Sequence, residues 1–381
     1  MPYGQQWRQH RRLFWQHFNV RAVSAYQQTQ TETTRKFLLK LLQDPSQLVG
    51  HIRYVFLATI LKVLVGIDVS DDSTSEYTGH IDAALEGFSK GLMPGKFLVS
   101  MLPFLRHVPS WVPGAGFQNT FAGWREANAA LRHGPFAHVK DAMKRGDALE
   151  SVVAKLLSRV PNEGETSGAS AEEIEEIIKN IGFVGIEVQS VFLAMSRYPD
   201  VQKKAQAELD AVIGPHRLPE FADQASLVYV SALCKEALRW QNVTPMGVGH
   251  RTTADDELQG YFIPAGTIVS ANVWADIRRV LARACMHDPT IFEDPDEFRP
   301  DASSGMASWM CRLATLRPSR LVLAGASVLH VFDITPPLDQ RGRLVDITPG
   351  QTDGIISYPV DCRCTIKPRM IGAEKLIRSS L

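Results

Sequence analysis

The stretch Cys234-Lys235-Glu236-Ala237-Leu238-Arg239-Trp240 is the point around which the chain is organised. It continues an apolar helical pattern, Ser226-Leu227-Val228-Tyr229-Val230-Ser231-Ala232-Leu233. Glu236 and Arg239 lie three apart, so they project from one helix face and can pair. A solvated pair of this kind is worth only about 0.2–0.5 kcal/mol. Leu233, Leu238 and Trp240 flank it, which favours burial instead. A buried carboxylate then needs its guanidinium, because an unpaired charge there is costly. Taken alone, these seven residues leave both readings open.

The 381 residues are 45% hydrophobic and 22% charged with no net charge, an ordinary globular composition with enough apolar mass for a large core. A neutral chain without a basic, aromatic-interleaved run gives no footing for nucleic acid. The five cysteines, Cys234, Cys285, Cys311, Cys362 and Cys364, are scattered and odd in number, which suits a reducing compartment better than a disulfide framework. Cys362-Arg363-Cys364 has the wrong spacing for a redox or zinc motif. No secretory signal opens the chain. The longest apolar stretch, Tyr54 to Ile67, is too short for a bilayer and contains Lys62, so it reads as a buried helix and no membrane span is expected.

Periodicity predicts a mostly α chain with a minor β part. Helices are expected over 7–30, 31–42, 48–67, 73–91, 121–145, 148–159, 201–213 and 321–331, with a proline-rich coil over 93–117. Ser170-Ala171-Glu172-Glu173 is a capping box that opens a helix running into Gly182-Phe183-Val184-Gly185-Ile186-Glu187. Two glycines there cost about 1 kcal/mol each, so the backbone is either approached closely or kinked. Glu187 is a lone acid in an apolar run, read either as a functional acid or as a side chain reaching solvent at a kink. Tyr261-Phe262-Ile263 and Thr267-Ile268-Val269 read as strands of a small sheet, and 357–367 as a terminal strand pair. At the start, Trp7 and Arg11 are four apart and share a face, aiming an indole N–H and a guanidinium at one place. Plain packing of Trp7 beside a solvated Arg11 is the competing reading.

Taken in order, these features resemble the cytochrome P-450 monooxygenases, particularly the fungal membrane-bound ones. The resemblance rests on Trp7-x-x-x-Arg11, Pro199-Asp200-Val201-Gln202 to Glu208, Glu236-x-x-Arg239, Gly249-His250-Arg251-Thr252-Thr253, and Gly260 to Thr267. It continues through Ala271-Asn272-Val273-Trp274-Ala275, His287-Asp288-Pro289, Pro295 to Pro300, and Ile355 to Arg369. Each motif is weak alone; the ordered set is specific. The resemblance implies an incomplete P-450 fold in a single domain over 1–381, lacking the family's N-terminal anchor and first helices. It implies heme (iron protoporphyrin IX) held by a cysteine thiolate that favours O–O cleavage. Trp7, Arg11 and His250 would contact the propionates, Glu187 would relay protons, and Glu236 with Arg239 would hold the core beneath the heme. The implied activity is insertion of one atom of O2 into a small apolar organic substrate in secondary metabolism, with an NADPH-dependent reductase as partner. The family resides at the endoplasmic-reticulum membrane with a cytosolic catalytic domain; without a visible anchor, this chain is expected to be cytosolic or peripheral.

The sequence also departs from the family pattern. The family's proton-relay threonine falls at Val188, with Ser190 the nearest alcohol, and the helix over 179–195 looks shorter by about two turns, roughly 10 Å. Residues 276–285 read as an insertion. Ala302 stands where the family has an arginine completing a triad with Glu236 and Arg239, and Arg299 should point elsewhere by strand alternation. Over 302–325 an atypical segment replaces the glycine-containing ligand loop, with Ser304, Ala307, Trp309 and Leu313 at its key positions. Cys311 is the candidate iron ligand, with Arg312 beside it to lower its pKa; an ordinary cysteine in a rewritten segment is the other reading. Defects this local suggest a mis-spliced or frame-shifted gene copy, so a non-catalytic remnant that binds no heme through a thiolate is the alternative function.

Overall fold

The computed structural model describes residues 4–19, 21–68, 71–91, 96–158, 187–244, 249–269, 286–287, 292–303, 318–352 and 355–381. Its helices are α1 (Gln5–Phe18), α2 (Gln27–Gln43), α3 (Leu48–Val65), α4 (Asp71–Gly91), α5 (Phe117–Arg145) and α6 (Val152–Ser158). Helical residues 187–197 (α7) precede α8 (Pro199–Val212), α9 (Val228–Trp240), α10 (Pro318–Val331) and α11 (Ala373–Ser379). The chain is mostly α, as its periodicity predicts.

Two cores meet at α3. On one side Ile52, Val55 and Phe56 join Leu38 of α2, Leu193 of α7, Leu209 of α8, Leu233 of α9 and Leu329 of α10. On the other, Leu57, Leu61 and Leu64 pack with Val139 of α5, Val153 of α6 and Phe18 of α1. A helix buried on both sides must be apolar all round, which is why α3 shows no stripe. Pro45–Val65 is long and apolar enough to cross a membrane, and 67% of that window is buried within the fold. Gly66, at φ 70°, closes α3 in the left-handed conformation, its N–H donating to the Lys62 carbonyl at 3.1 Å. The α4–α5 crossing needs Gly87: a Cβ there would sit 2.9 Å from the Trp124 ring.

The β part is three antiparallel pairs. β1 (His250–Arg251) pairs with β4 (Ile268–Val269), and β2 (Asp256–Leu258) with β3 (Tyr261–Ile263). Gln259 and Gly260, at φ 53° and 83°, make the tight turn between β2 and β3. β5 (Phe332–Thr335), entered directly from α10, pairs with β6 (Thr365–Pro368).

Three local expectations change. The helix expected over 7–30 is interrupted, because Asn19 Nδ2 donates to the Trp15 carbonyl at 2.9 Å while its Oδ1 accepts from the Arg21 and Ala22 amides at 2.9 and 3.0 Å. That side chain ends α1 and seeds a 3-10 turn, Ala22–Tyr26, before α2. The strands holding Tyr261 and Ile268 do not pair with each other but each with a different partner. The expected terminal strand pair over 357–367 becomes β6 alone, paired across to β5. The capping box at Ser170, Gly182 and Gly185, the insertion at 276–285, and 304–317 with Cys311 lie outside the described residues.

Candidate functional site

α9 carries the most completely hydrogen-bonded buried polar centre among the described residues. Its N-terminus has no capping side chain of its own; Glu208 of α8 supplies both carboxylate oxygens to the Tyr229 and Val230 amides at 2.8 and 2.9 Å. An acid at the positive end of a helix is favourable, so α8 fixes where α9 begins. Two to three turns on, Glu236 and Arg239 are each only 2% exposed on their side chains. Arg239 Nε and Nη2 each donate to Glu236 at 2.8 Å, a bidentate fork. Its other three N–H groups donate to backbone carbonyls: Nη1 to Met286 (2.9 Å) and Pro295 (2.7 Å), Nη2 to Glu297 (2.9 Å). A guanidinium has five donors, so every one is used. Glu236 in turn accepts from the Arg299 amide at 2.9 Å. With Ala302 in place of a third arginine, Glu236 has the Arg299 main-chain amide as its further donor, and main-chain carbonyls from 286–297 take up the remaining donors of Arg239. The Arg299 side chain turns outward to Asp294 at 2.6 Å.

The same coil is clamped by aromatics. Trp240 Nε1 donates to the Asp296 carbonyl at 2.8 Å, and the Trp240 ring meets Phe298 and Tyr198 edge-on, at centroid distances of 5.4 and 5.9 Å. Phe292 lies 4.9 Å beneath the Arg239 guanidinium.

Glu187, the first described residue of α7, is buried and does not reach solvent. It faces α9: burial, and secondarily the Glu187 charge, push the Cys234 thiol up to about 12. Cys234 also holds α9 against α10, its Sγ 3.7 Å from the Leu321 carbonyl, and a Cβ at Gly325 would stand 3.3 Å from that sulfur. Arg11 on α1 and His250 on β1 are both exposed. Trp7 lies one turn before Arg11 on α1, and its side chain falls outside the described residues.

The cysteine chemistry limits where a thiolate can be found. Cys234, Cys362 and Cys364 are all pushed up by burial, to about 12, 11 and 12, and so are held as neutral thiols. The Arg11 guanidinium and the His250 imidazole are exposed N–H groups, and Cys311 lies outside the described residues.

One polar centre was not singled out in the sequence. Arg320, in the first turn of α10, is buried. Its Nη2 donates to Thr59 Oγ1 at 2.7 Å, and its guanidinium lies 4.2 Å above the Phe56 ring. Thr59 is tied in turn to Thr33 of α2 at 2.8 Å. No carboxylate pairs with Arg320 among the described residues, and burial pulls its pKa down to about 9. The signal was an arginine at the edge of an otherwise apolar helix, which periodicity places at a boundary and hence at the surface.

A helical fold with a buried, fully saturated Glu-x-x-Arg fork bracing a proline-punctuated coil defines a class that comparison names directly. The profile described as Cytochrome P450 matches residues 1–302, and the chain belongs to the cytochrome P450 family. It is 36% identical to cytochrome P450 monooxygenase COX2 of Coprinopsis cinerea, over all of this chain and 75% of that protein. It is 35% identical to a cytochrome P450 monooxygenase of Armillaria gallica over 99% of this chain and 76% of the relative, and 33% identical to eriA of Hericium erinaceus over all of this chain and 74% of the relative. Membership makes the chain an oxidoreductase of the monooxygenase kind by resemblance, in a family whose cofactor is heme.

Proposed function

We propose that this chain is a heme-thiolate monooxygenase that inserts one atom of O2 into a small apolar organic substrate, the second atom leaving as water. The two electrons come from an NADPH-dependent reductase. The observation that carries the reading is alignment over the full chain, at 31–36% identity, to proteins named as monooxygenases. The intact Glu236–Arg239 fork supports it. In this reading Arg11, His250 and Trp7 hold the propionates and Cys311 binds the iron. Glu187, buried at the head of α7, is the acid that relays protons into the site. Bound heme supplies the oxygen chemistry; the protein excludes water and orients the substrate.

A second reading is a family remnant without thiolate-bound heme. Two observations favour it: the family match ends at residue 302, and a buried arginine without a carboxylate partner among the described residues follows the segment beyond. One experiment separates the two. The chain is purified with added hemin, reduced and exposed to carbon monoxide. A red-shifted thiolate Soret band that Cys311→Ala abolishes is the expected result. Absence of heme uptake would reject the monooxygenase reading and leave family membership intact.

A further inference from the structure

We propose that His330 is a proton-sensitive latch: protonation of its imidazole releases the C-terminal unit, β6 with α11, from the end of α10. His330 is the penultimate residue of α10 and is fully buried. The Arg217 main chain approaches it without completing a hydrogen bond, and neither Nδ1 nor Nε2 has a partner among the described residues. A neutral imidazole carries one donor and one acceptor, and buried polar groups are normally paired. His330 is thus an unsatisfied titratable group at the point where α10 becomes β5.

Its neighbours oppose a positive charge. Arg369, just past β6, and Arg217, past α8, bring like charge to it, while Asp210 of α8 is the carboxylate that acts on it. Asp210 is already engaged by the Arg369 guanidinium. Arg217 is held bidentately at 2.7 Å by Asp223 of the 3-10 turn Phe221–Ala225. On the other elements packed against α10, Arg35 of α2 donates to the Pro219 carbonyl at 3.3 Å, Asp333 of β5 accepts from Gln206 at 2.9 Å, and Glu236 of α9 is held by Arg239. None of these carboxylates is left over for an imidazolium. Burial, and then the Arg369 charge, hold the imidazole below its ordinary range.

Arg369 decides what moves. Its amide donates to the Val331 carbonyl at 2.9 Å and its Nη1 to the Leu329 carbonyl at 3.5 Å, so it grips α10 on both sides of His330 while its Nη2 holds Asp210 of α8. β6 pairs with β5 alone among the described residues, and α11 adds Ala373 and Ile377 to the buried core. Lifting this unit opens the end of α10 to water and leaves the packing of α2, α3 and α9 in place. Only the lifted form hydrates an imidazolium. A hydrated histidine takes its proton near pH ~6.5. The closed value lies lower, so closure is favoured above that pH and weakens as pH falls, by up to about tenfold per pH unit. The inference is independent of whether the chain binds heme.

The test is amide hydrogen exchange on the full chain, corrected for the intrinsic rate at each pH. Between about pH 7.5 and about pH 5.5, exchange in β6 and α11 is expected to rise about tenfold in the parent, while α9 amides keep their protection. In His330→Phe and His330→Gln, which cannot take the proton, the rise should shrink to within about twofold. Asp210→Asn loosens the Arg369 grip without removing the titrating group, so its β6 amides should exchange faster at neutral pH and still respond to acid. The comparison of β6 with α9 is made within the parent alone and does not depend on how well a variant folds. A flat profile in the parent would overturn the proposal, as would an equal acid response in both His330 variants. Loss of α9 protection in step with β6 would also overturn it, because acid would then be unfolding the whole domain.

Discussion

Arg239 and Arg320 are both buried guanidinium groups, and the fold treats them in opposite ways. Arg239 has a carboxylate held bidentately three residues away and three carbonyls for its remaining donors. Among the described residues, Arg320 has one threonine hydroxyl and the face of Phe56. Burial costs the charge its hydration in both places. At Arg239 the cost is offset by five hydrogen bonds, two of them to a charge. At Arg320 the described residues supply a single neutral hydrogen bond and a ring face, which offset only part of it. A buried cation is therefore a lock where the backbone has been arranged to receive it, and a burden where it has not.

The largest test breaks the lock. Glu236→Ala leaves Arg239 buried without its counter-charge and should cost about 3–5 kcal/mol. Urea unfolding would read this as a fall in midpoint, or as loss of soluble protein; an unchanged midpoint would mean that the carbonyls of 286–297 suffice alone.

The second test relieves the burden. Arg320→Met removes the charge, keeps most of the volume, and should stabilise by about 1–3 kcal/mol at neutral pH. Its sign with pH follows from linkage. The folded pKa of Arg320 lies below the unfolded value, so the unfolded chain binds more protons, and stability rises as pH climbs through about 9. The gap between variant and parent should accordingly narrow on going from pH 7 to pH 10. A constant gap would mean that the variant acts through packing instead of charge.

The smallest test sets the scale for both. Asp294→Asn removes the exposed ion pair with Arg299, whose side chains are 58 and 44% accessible, and keeps a residue that tolerates the left-handed backbone here (φ 49°). The change should stay within about 0.5 kcal/mol. A large loss would show that the coil over 292–299 is held by its surface charges and not by Arg239.

The contrast also separates what could be read early from what could not. Glu236 and Arg239 were legible because they share a helix and a fixed spacing; the i,i+3 geometry is local. The three carbonyls completing the lock belong to residues about fifty positions away, and nothing at Met286, Pro295 or Glu297 announces them. The same holds for Glu208, which caps α9 from another helix, and for β6, which finds its partner on the strand following α10. Asn19 shows a different limit. Its side chain can continue a helix or end one, and it ended α1 because two following amides were placed to donate to it.

The sequence by itself determined the mostly helical class, the burial of α3, the family, and the pairing of Glu236 with Arg239. These depend on composition, on period, and on residues within one turn of each other. Tertiary structure alone decided which charges in the interior are satisfied. Satisfaction depends on donors and acceptors brought together from distant parts of the chain, and no local pattern records which carbonyl will stand within 3 Å of a given guanidinium. That is why two arginines, each beside apolar helix residues, became one brace and one buried charge without a counter-charge among the described residues.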